Sequence, residues 1–442
     1  MSALNEARAF CRDLAERWCS SLLARNMAWM SLGYGLRLVI QALYFTVIAR
    51  CLGASNYGAF VGVSALVGVA APFGPLGTGN LLIQEVSRDK RLFAGCWGAA
   101  LATTAFASSM LIAIVLLLSH FILPATILLR LVACVAVSDI VAMNLITISG
   151  QAFQAFEQLK WTAAINFLSS SGRLTGALIL VGLHGHPTAM QWGYVYCGST
   201  VVIAATACCL VSAKLAAPRT PRRRTWADIR GGLYFSVSVS AESIYSDIDK
   251  TMLARLSTLE AAGLYGAAYR IVDITFVPVL SLLSAAYPGF FRYGKGGILA
   301  SMHYGRGLLK RILPYSLFAS AAILVAAPVV PWVLGNEYAH ATEALRWLAA
   351  LPLLKTFRSV AADTLTGAGR QGLRTLIQIG AAAFNILVNL WVIPAYGWRG
   401  AAWSSVVSSA LLWLLLWAAA NHLARRANLL IQQDAVLATE PV

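Results

Sequence analysis

Twelve stretches of this chain approach the length and apolarity of a membrane span, and that repetition constrains the fold more than any other feature. A helix needs about 20 consecutive apolar residues to cross a hydrocarbon core of about 30 Å. The stretches predict helices near 27–49, 57–80, 92–119, 126–149, 161–183 and 189–212, then near 231–256, 261–290, 308–334, 343–366, 372–394 and 398–422. The second and seventh are the least regular. One carries Gly74, Pro75, Gly77 and Gly79, and the other Glu242, Asp247, Asp249 and Lys250. These runs are too long and too uniformly apolar for the alternating segments of a β-barrel. Only 12% of residues are charged and 59% are hydrophobic, with a mean hydropathy of +0.69. A soluble domain carries about 25% charged residues, so lipid must be the solvent for most of this chain. The expected fold is an all-α integral membrane bundle of about 12 spans.

The formal charge of +16 is distributed unevenly. With the N-terminus cytoplasmic, the cytoplasmic segments and the helix ends entering them hold 23 of the 34 Lys and Arg. The external loops hold Arg50, Arg255 and Arg399, and eight more fall within spans. That asymmetry is the positive-inside rule, and it requires an even number of spans with both termini cytoplasmic. It also excludes a nucleic-acid partner as the reason for the charge. Arg222, Arg223 and Arg224 fall in a basic cytoplasmic linker, 213–230, suited to anionic lipid. Residues 1–26 contain no apolar core long enough for a cleavable signal peptide. They place Leu4, Ala7, Cys11, Leu14, Trp18 and Leu22 on one helical face, which reads as an amphipathic segment in the cytoplasmic interface or a frayed tail. Residues 423–442 form a cytoplasmic tail.

Cys96, Cys134, Cys197, Cys208 and Cys209 sit in apolar spans without a C-x-x-C motif, and they read as small buried hydrophobes. His184 and His186 share an external loop with nothing nearby to complete a metal site. No metal, cofactor or catalytic residue is expected. Trp18, Trp29, Trp97, Trp161, Trp192, Trp226, Trp332 and Trp398 cluster near span ends, as interfacial belts do.

The two halves echo each other. ARCLGASNYGAF, from Ala49 to Phe60, ends the first span, and ARLSTLEAAGLY, from Ala254 to Tyr265, ends the seventh. Ala, Arg, a loop and Gly-x-aromatic recur at one offset. TISG (Thr147–Gly150) and TLTG (Thr364–Gly367) both close the fourth helix of a half. The expected lobes are 27–212 and 231–422. With six helices each they would insert in the same orientation, as a parallel repeat.

LGASNYGAF, then a Gly/Pro-rich helix, then QEVSRD (Gln84–Asp89) resembles the first helices of Wzx-type polysaccharide flippases. DKTMLARLSTLEAAGLYGAAYRIVD, from Asp249 to Asp273, resembles that family's seventh and eighth helices. These flippases form the polysaccharide-transporter branch of the multidrug/oligosaccharidyl-lipid/polysaccharide exporter superfamily. The resemblance implies a V-shaped, two-lobed bundle around a central cavity in a bacterial inner membrane. The implied cargo is undecaprenyl-diphosphate-linked oligosaccharide, moved to the external leaflet for O-antigen (lipopolysaccharide), capsule or exopolysaccharide synthesis. Membrane lipid, a polysaccharide polymerase and a chain-length regulator are the other partners it implies.

Ionisable residues within spans carry the functional argument. The bases are Arg37, Arg130, Arg173, Lys250, Arg270, Arg346, Lys355 and Arg358, and the acids are Asp139, Glu242, Asp247, Asp249, Asp273 and Asp363. A lipid-facing charge at mid-bilayer costs roughly 2.5–3.5 kcal/mol on insertion scales. Most must therefore line water, pair, or snorkel, and Arg130, Lys250 and Arg346 lie near external ends where snorkelling suffices. Tyr34, Arg37, Gln41 and Tyr44 share one helical side, as do Asn166, Ser170 and Arg173. Arg37, Arg173, Arg270, Lys355 and Arg358 are the candidate cavity cations, because a guanidinium binds phosphate oxygens in pairs and keeps its charge in low dielectric. Interhelical ion pairing is the other reading, and Asp273 is three residues from Arg270. The resemblance adds weight to Arg37 and Arg270, because related lipid II flippases use cavity arginines on the first and eighth helices. Glu242, Ser246 and Asp249 share a polar face, and Asn385 and Asn389 could complete a coupling-ion site with them. A membrane enzyme would need a larger catalytic loop than any here. A cation-coupled drug or small-molecule antiporter of the same superfamily is the alternative, with a more acidic cavity expected, whereas bases outnumber acids eight to six.

Overall fold

The computed structural model describes residues 22–219 and 226–437, and every regular element among them is helical. The segments at 1–21, 220–225 and 438–442, which hold most of the expected amphipathic segment, the Arg222–Arg224 run and the tail's last residues, lie outside the described residues. The first continuous helix, Leu22–Ala70, is two helices meeting at Gly53 (φ 71°, ψ 168°): α1 over 22–52 and α2 over 54–70. There follow α3 (Thr78–Arg88), α4 (Phe93–Ile122), α5 (Leu129–Ala136), α6 (Met143–Ala155), α7 (Leu159–His184) and α8 (Ala189–Lys214). The later half holds α9 (Trp226–Leu256), α10 (Leu259–Gly294), α11 (Gly297–Ala326), α12 (Val330–Leu334), α13 (Ala341–Leu348), α14 (Leu351–Gly367), α15 (Gln371–Tyr396) and α16 (Trp398–Leu437).

Each predicted span corresponds to a helix or a pair of them. Nine helical stretches among the described residues are long and apolar enough to cross a membrane, the first of them joining α1 and α2. Helices α9 and α13–α14 are not among the nine: Glu242, Asp247, Asp249 and Lys250 break the apolarity of α9, and a turn at 349–350 divides the other span into helices of 8 and 17 residues, each too short alone. The Gly/Pro-rich stretch breaks the second span: a 3₁₀ turn at Ala71–Phe73 follows α2, and α3 restarts at Thr78. TISG does not close its helix, since α6 runs on to Ala155, whereas TLTG ends α14 at Gly367.

By packing, the chain divides into two units. One comprises the described parts of 1–47, 70–115 and 133–236, and the other those of 48–69, 116–132 and 237–442. The first unit's core holds Leu82, Phe93, Trp97, Phe153, Ile165 and Val211. The second's holds Tyr245, Leu365, Leu412 and Leu416, with Phe290, Ile312 and Val360 nearby in a further cluster. Outward-facing positions are apolar: Phe106 is 78% exposed and Trp391 84%. That is the reverse of a soluble surface and suits lipid. Trp97 and Trp192 correct the expected belt. Both are fully buried and fill helix interfaces, while Trp332 faces outward. Of the five cysteines expected to be buried only Cys96 is; Cys134, Cys197 and Cys208 are half-buried and Cys209 is exposed.

Two glycines explain why 48–69 packs with the later half. A Cβ at Gly58 would overlap the Leu259 carbonyl and the Gly263 nitrogen, and one at Gly263 would overlap the Ala54 carbonyl and the Gly58 nitrogen. Helices α2 and α10 thus cross at backbone contact, which small residues alone allow. Gly58 and Gly263 are the glycines of the repeated motif, and Ala54 and Leu259 stand at the same offset. Each half therefore touches the other with equivalent atoms, the signature of a two-fold contact. Arg50 Nη1 donates to the Val333 carbonyl (3.4 Å), and its counterpart Arg255 donates to the Leu123 carbonyl (3.3 Å). At the kink, Glu337 Oε2 accepts from the Ala54 N–H (3.0 Å) and Tyr338 Oη donates to the Ala49 carbonyl (2.8 Å), so one short loop caps both helices. Burial pushes the Tyr338 phenol up, which keeps it a donor.

Gly58→Ala and Gly263→Ala should each destabilise the detergent-solubilised protein by about 1–3 kcal/mol, the usual cost of overpacking. Gly68→Ala, where a Cβ meets nothing within 4 Å, is the control and should leave the unfolding midpoint unchanged or raise it. Equal midpoints for all three would dispose of the close crossing.

Candidate substrate site

In the first unit, Arg173 leaves α7 between α5–α6 and α8. Its Nη2 lies 3.9 Å from Asp139 Oδ1 and 3.5 Å from Met143 Sδ, and its guanidinium stands 4.7 Å over the Tyr196 ring. Tyr196 Oη donates to Asp139 Oδ1 at 2.6 Å. Asp139 sits on a π-helical turn, Val137–Ala142, where the extra residue re-aims the side chains that follow. The triad joins three helices, so the interhelical pairing reading holds here. It does not use all of the guanidinium's donors: Arg173 Nε is buried and makes no hydrogen bond. Arg37 lies on α1, and its side chain is outside the described residues.

In the second unit, opposite charges are arranged around Tyr269. The Lys355 ammonium bonds Asp273 Oδ1 at 2.6 Å and lies 4.5 Å from the ring centroid. The Lys250 ammonium pairs with Asp247 and lies 4.2 Å from the same centroid. The expectation that Asp273 could pair with Arg270, three residues away, is corrected. Asp273 reaches across to α14 and takes Lys355, while Arg270 is half-buried and makes no ion pair among the described residues.

Asp249 is buried and accepts hydrogen bonds from Tyr265 Oη, Ser405 Oγ (2.9 Å) and the Lys250 N–H (2.8 Å). Asn389 Nδ2 donates to Asn385 Oδ1 (3.0 Å), Asn385 Nδ2 donates to Ser408 Oγ (3.2 Å), and Ser404 Oγ donates to Asn389. Helix α16 thus presents Ser404, Ser405, Ser408 and Ser409 as a two-residue-wide polar stripe against α9, α10 and α15. Of the candidate coupling residues, Asn385 and Asn389 therefore meet each other and the serines, and Asp249 meets Ser405 and Tyr265 rather than the asparagines. Glu242 stands apart from them, in a cavity. Among the described residues no group of three or more His, Cys, Asp and Glu is placed to hold a metal ion.

That cavity, of about 370 Å³, is lined by Glu242, Tyr287, Arg358, Asp363, Arg374 and Gln378 with apolar neighbours. Arg374 donates to Thr366 Oγ1 (2.9 Å) and lies 3.5 Å from Asp363 Oδ1. Arg358 is different. It is only 8% exposed, its guanidinium lies 4.6 Å over the Tyr245 ring, it forms no ion pair among the described residues, and its Nε makes no hydrogen bond. The acids that share its cavity, Glu242 and Asp363, are not within ion-pair distance of it. Among the expected cations, Lys355 and Arg358 share α14, but only Arg358 lines this cavity. Sequence reasoning passed over Arg374, counted as a cytoplasmic helix end, and Tyr269, whose i−4 spacing from Tyr265 was the available signal. The serine stripe of α16 was also legible as polar pairs one turn apart.

Solved structures with this arrangement of helices are membrane transporters. A multidrug resistance MATE family transporter of the MOP superfamily, in an inward-facing conformation, matches with a TM-score of 0.69 at 14% identity, covering 91% of this chain and 96% of that one. Its outward-facing conformation gives 0.63 at 16% identity, covering 90% and 96%. A MOP superfamily transporter from Pyrococcus furiosus, described by a reversed polarity of its binding pocket, gives 0.59 at 13% identity, covering 90% and 96%. The chain has the all-α, multi-pass fold of those membrane proteins. Residues 23–293 match the family described as "Polysaccharide biosynthesis protein", and the chain belongs to that family. An uncharacterized membrane protein of Methanocaldococcus jannaschii is 25% identical over 193 residues, which span 41% of this chain and 37% of that protein. A protein named "Probable low-salt glycan biosynthesis flippase", from Haloferax volcanii, is 22% identical over 395 residues, 84% of this chain and 78% of that one.

Proposed function

We propose that this chain moves undecaprenyl-diphosphate-linked oligosaccharide from the cytoplasmic to the external leaflet of a bacterial inner membrane by alternating access. The observation that carries the reading is Arg358, a buried guanidinium with no ion pair among the described residues, lining a cavity in a member of a polysaccharide biosynthesis family. Arg173 and Arg270 are the next cations assigned to the headgroup, since among the described residues Arg173 Nε makes no hydrogen bond and Arg270 no ion pair. Arg37 joins them on its helical position alone. A diphosphate carries about two negative charges, and a potential is worth roughly 2.3 kcal/mol per charge per 100 mV. With the inside negative, outward movement of the headgroup is favoured by on the order of 4–5 kcal/mol. The protein then has to lower the barrier, offering fixed positive charge to the headgroup while the polyprenyl tail stays in lipid. The name of the Haloferax relative and the reversed pocket polarity of the Pyrococcus transporter both support this reading.

A second reading is a cation-coupled small-molecule antiporter. The solved structures weigh on its side, since most of those similar to this chain are MATE transporters, and Glu242 and Asp363 give the cavity acids as well as bases. Glu242, Asp249, Asn385 and Asn389 would then serve the coupling ion. Reconstitution separates the two. Proteoliposomes holding a headgroup-labelled polyprenyl-diphosphate oligosaccharide should lose label to a membrane-impermeant quencher only when the protein is present, at a rate raised by an inside-negative potential. If the label stays protected, while an organic cation is exchanged for protons or sodium in a way that Glu242→Gln abolishes, the antiporter reading takes its place.

A further inference from the structure

We propose that the cleft between the start of α11 and the end of α16 is a binding site for the headgroup of an anionic glycerophospholipid. Met302, His303 and Arg306 fall at the spacing that puts side chains on one face of α11, and Asn421, Arg425 and Asn428 do the same on α16. Together they line a cleft of about 450 Å³. Met302 is buried and forms part of the floor, while His303, Arg306, Arg425 and Asn428 are exposed around it. Arg306 Nη2 donates to Asn421 Oδ1 at 3.3 Å, which ties the two helices and sets the guanidinium beside the cleft. None of the lining residues is acidic.

The depth of the cleft identifies its ligand. At about 1.5 Å per residue, the stretch of α11 from Arg306 to Ala326 covers about 30 Å, one hydrocarbon thickness. On α16, Arg425 stands about 40 Å from Trp398, the level of the opposite headgroups. Both helices therefore carry their cations to the phosphates of one leaflet, the cytoplasmic one by the positive-inside rule. A phosphodiester offers one negative charge and several acceptor oxygens, which guanidinium groups bind in pairs. Asn428, an amide on the rim, is placed for the glycerol and ester oxygens. A choline headgroup would bring a cation against Arg306 and Arg425 and is disfavoured. Basic pockets between membrane helices at cytoplasmic depth take anionic lipid for these reasons.

The test uses the full chain in detergent, titrated with phosphatidylglycerol or phosphatidylcholine and followed by native mass spectrometry of bound lipid. Phosphatidylglycerol should be preferred, and R306Q/R425Q should weaken its binding about thirtyfold. K310Q/R311Q, which removes the same charge outside the cleft, should change it by less than about twofold. R306K/R425K keeps the charge and should keep the preference, which guards against a folding defect in the glutamine variant. Unchanged affinity in R306Q/R425Q, or an equal loss in K310Q/R311Q, would overturn the site. So would equal binding of phosphatidylcholine, or displacement of the lipid by millimolar inorganic phosphate, which would make this a free-anion site.

Discussion

Asp273→Leu should cost the folded protein about 3–5 kcal/mol, because it leaves the Lys355 ammonium buried without its carboxylate. The Lys355 side chain is 6% exposed and has one carboxylate bonded to it. The Tyr269 face beside it is already shared with Lys250 and cannot take over the charge. Lys355→Met removes the buried charge itself, leaving a carboxylate that is 36% exposed, and should cost less. The double variant should recover most of the loss, since replacing a buried pair by apolar side chains is often neutral or stabilising. Thermal unfolding in detergent of the wild type, both single variants and the double variant completes the cycle. Additive losses would mean that the pair is not coupled, and Lys355 would return to the list of headgroup cations.

Arg358→Met should behave in the opposite way: transport falls, stability does not. A charge-assisted hydrogen bond to a substrate phosphate is worth about 1.5–3 kcal/mol, so flipping in the reconstituted assay should drop by roughly tenfold to a hundredfold. Methionine fills much of the same volume and removes a buried cation that has no ion pair among the described residues, so the unfolding midpoint should stay or rise. Arg358→Lys keeps the charge but loses the planar fork and the stacking on Tyr245, and should recover only part of the rate. A lower midpoint for Arg358→Met with normal flipping per folded molecule would make Arg358 scaffold and remove the main support for a cationic site.

These two residues stand three apart on one helix, and nothing in their local sequence distinguishes them. Both are basic, both interrupt an apolar run, and both read as cavity cations. What separates them is the neighbour supplied by another helix: Asp273 of α10 for Lys355, the Tyr245 ring of α9 for Arg358. The same limit applied to Arg270, which local spacing joined to Asp273, and to Asp249, whose serine and tyrosine donors come from α16 and α10. Spacing along a helix can place two groups on one face. It cannot say which group on a different helix arrives there first.

The amino-acid sequence by itself determined that this chain dissolves in lipid, that most of its segments are helices of spanning length, and that its loops sort by charge. Those properties follow from apolar run length and Lys/Arg placement, which act locally and need no partner. It also marked the repeated glycines, because backbone contact leaves a legible trace in residue size. Only the tertiary structure decided that residues 48–69 pack with the later half, through Gly58 against Gly263, and which buried charges are neutralised. The physical reason is that burying an ion in low dielectric makes its free energy depend on atoms within a few ångströms, and those atoms come from helices far away in sequence.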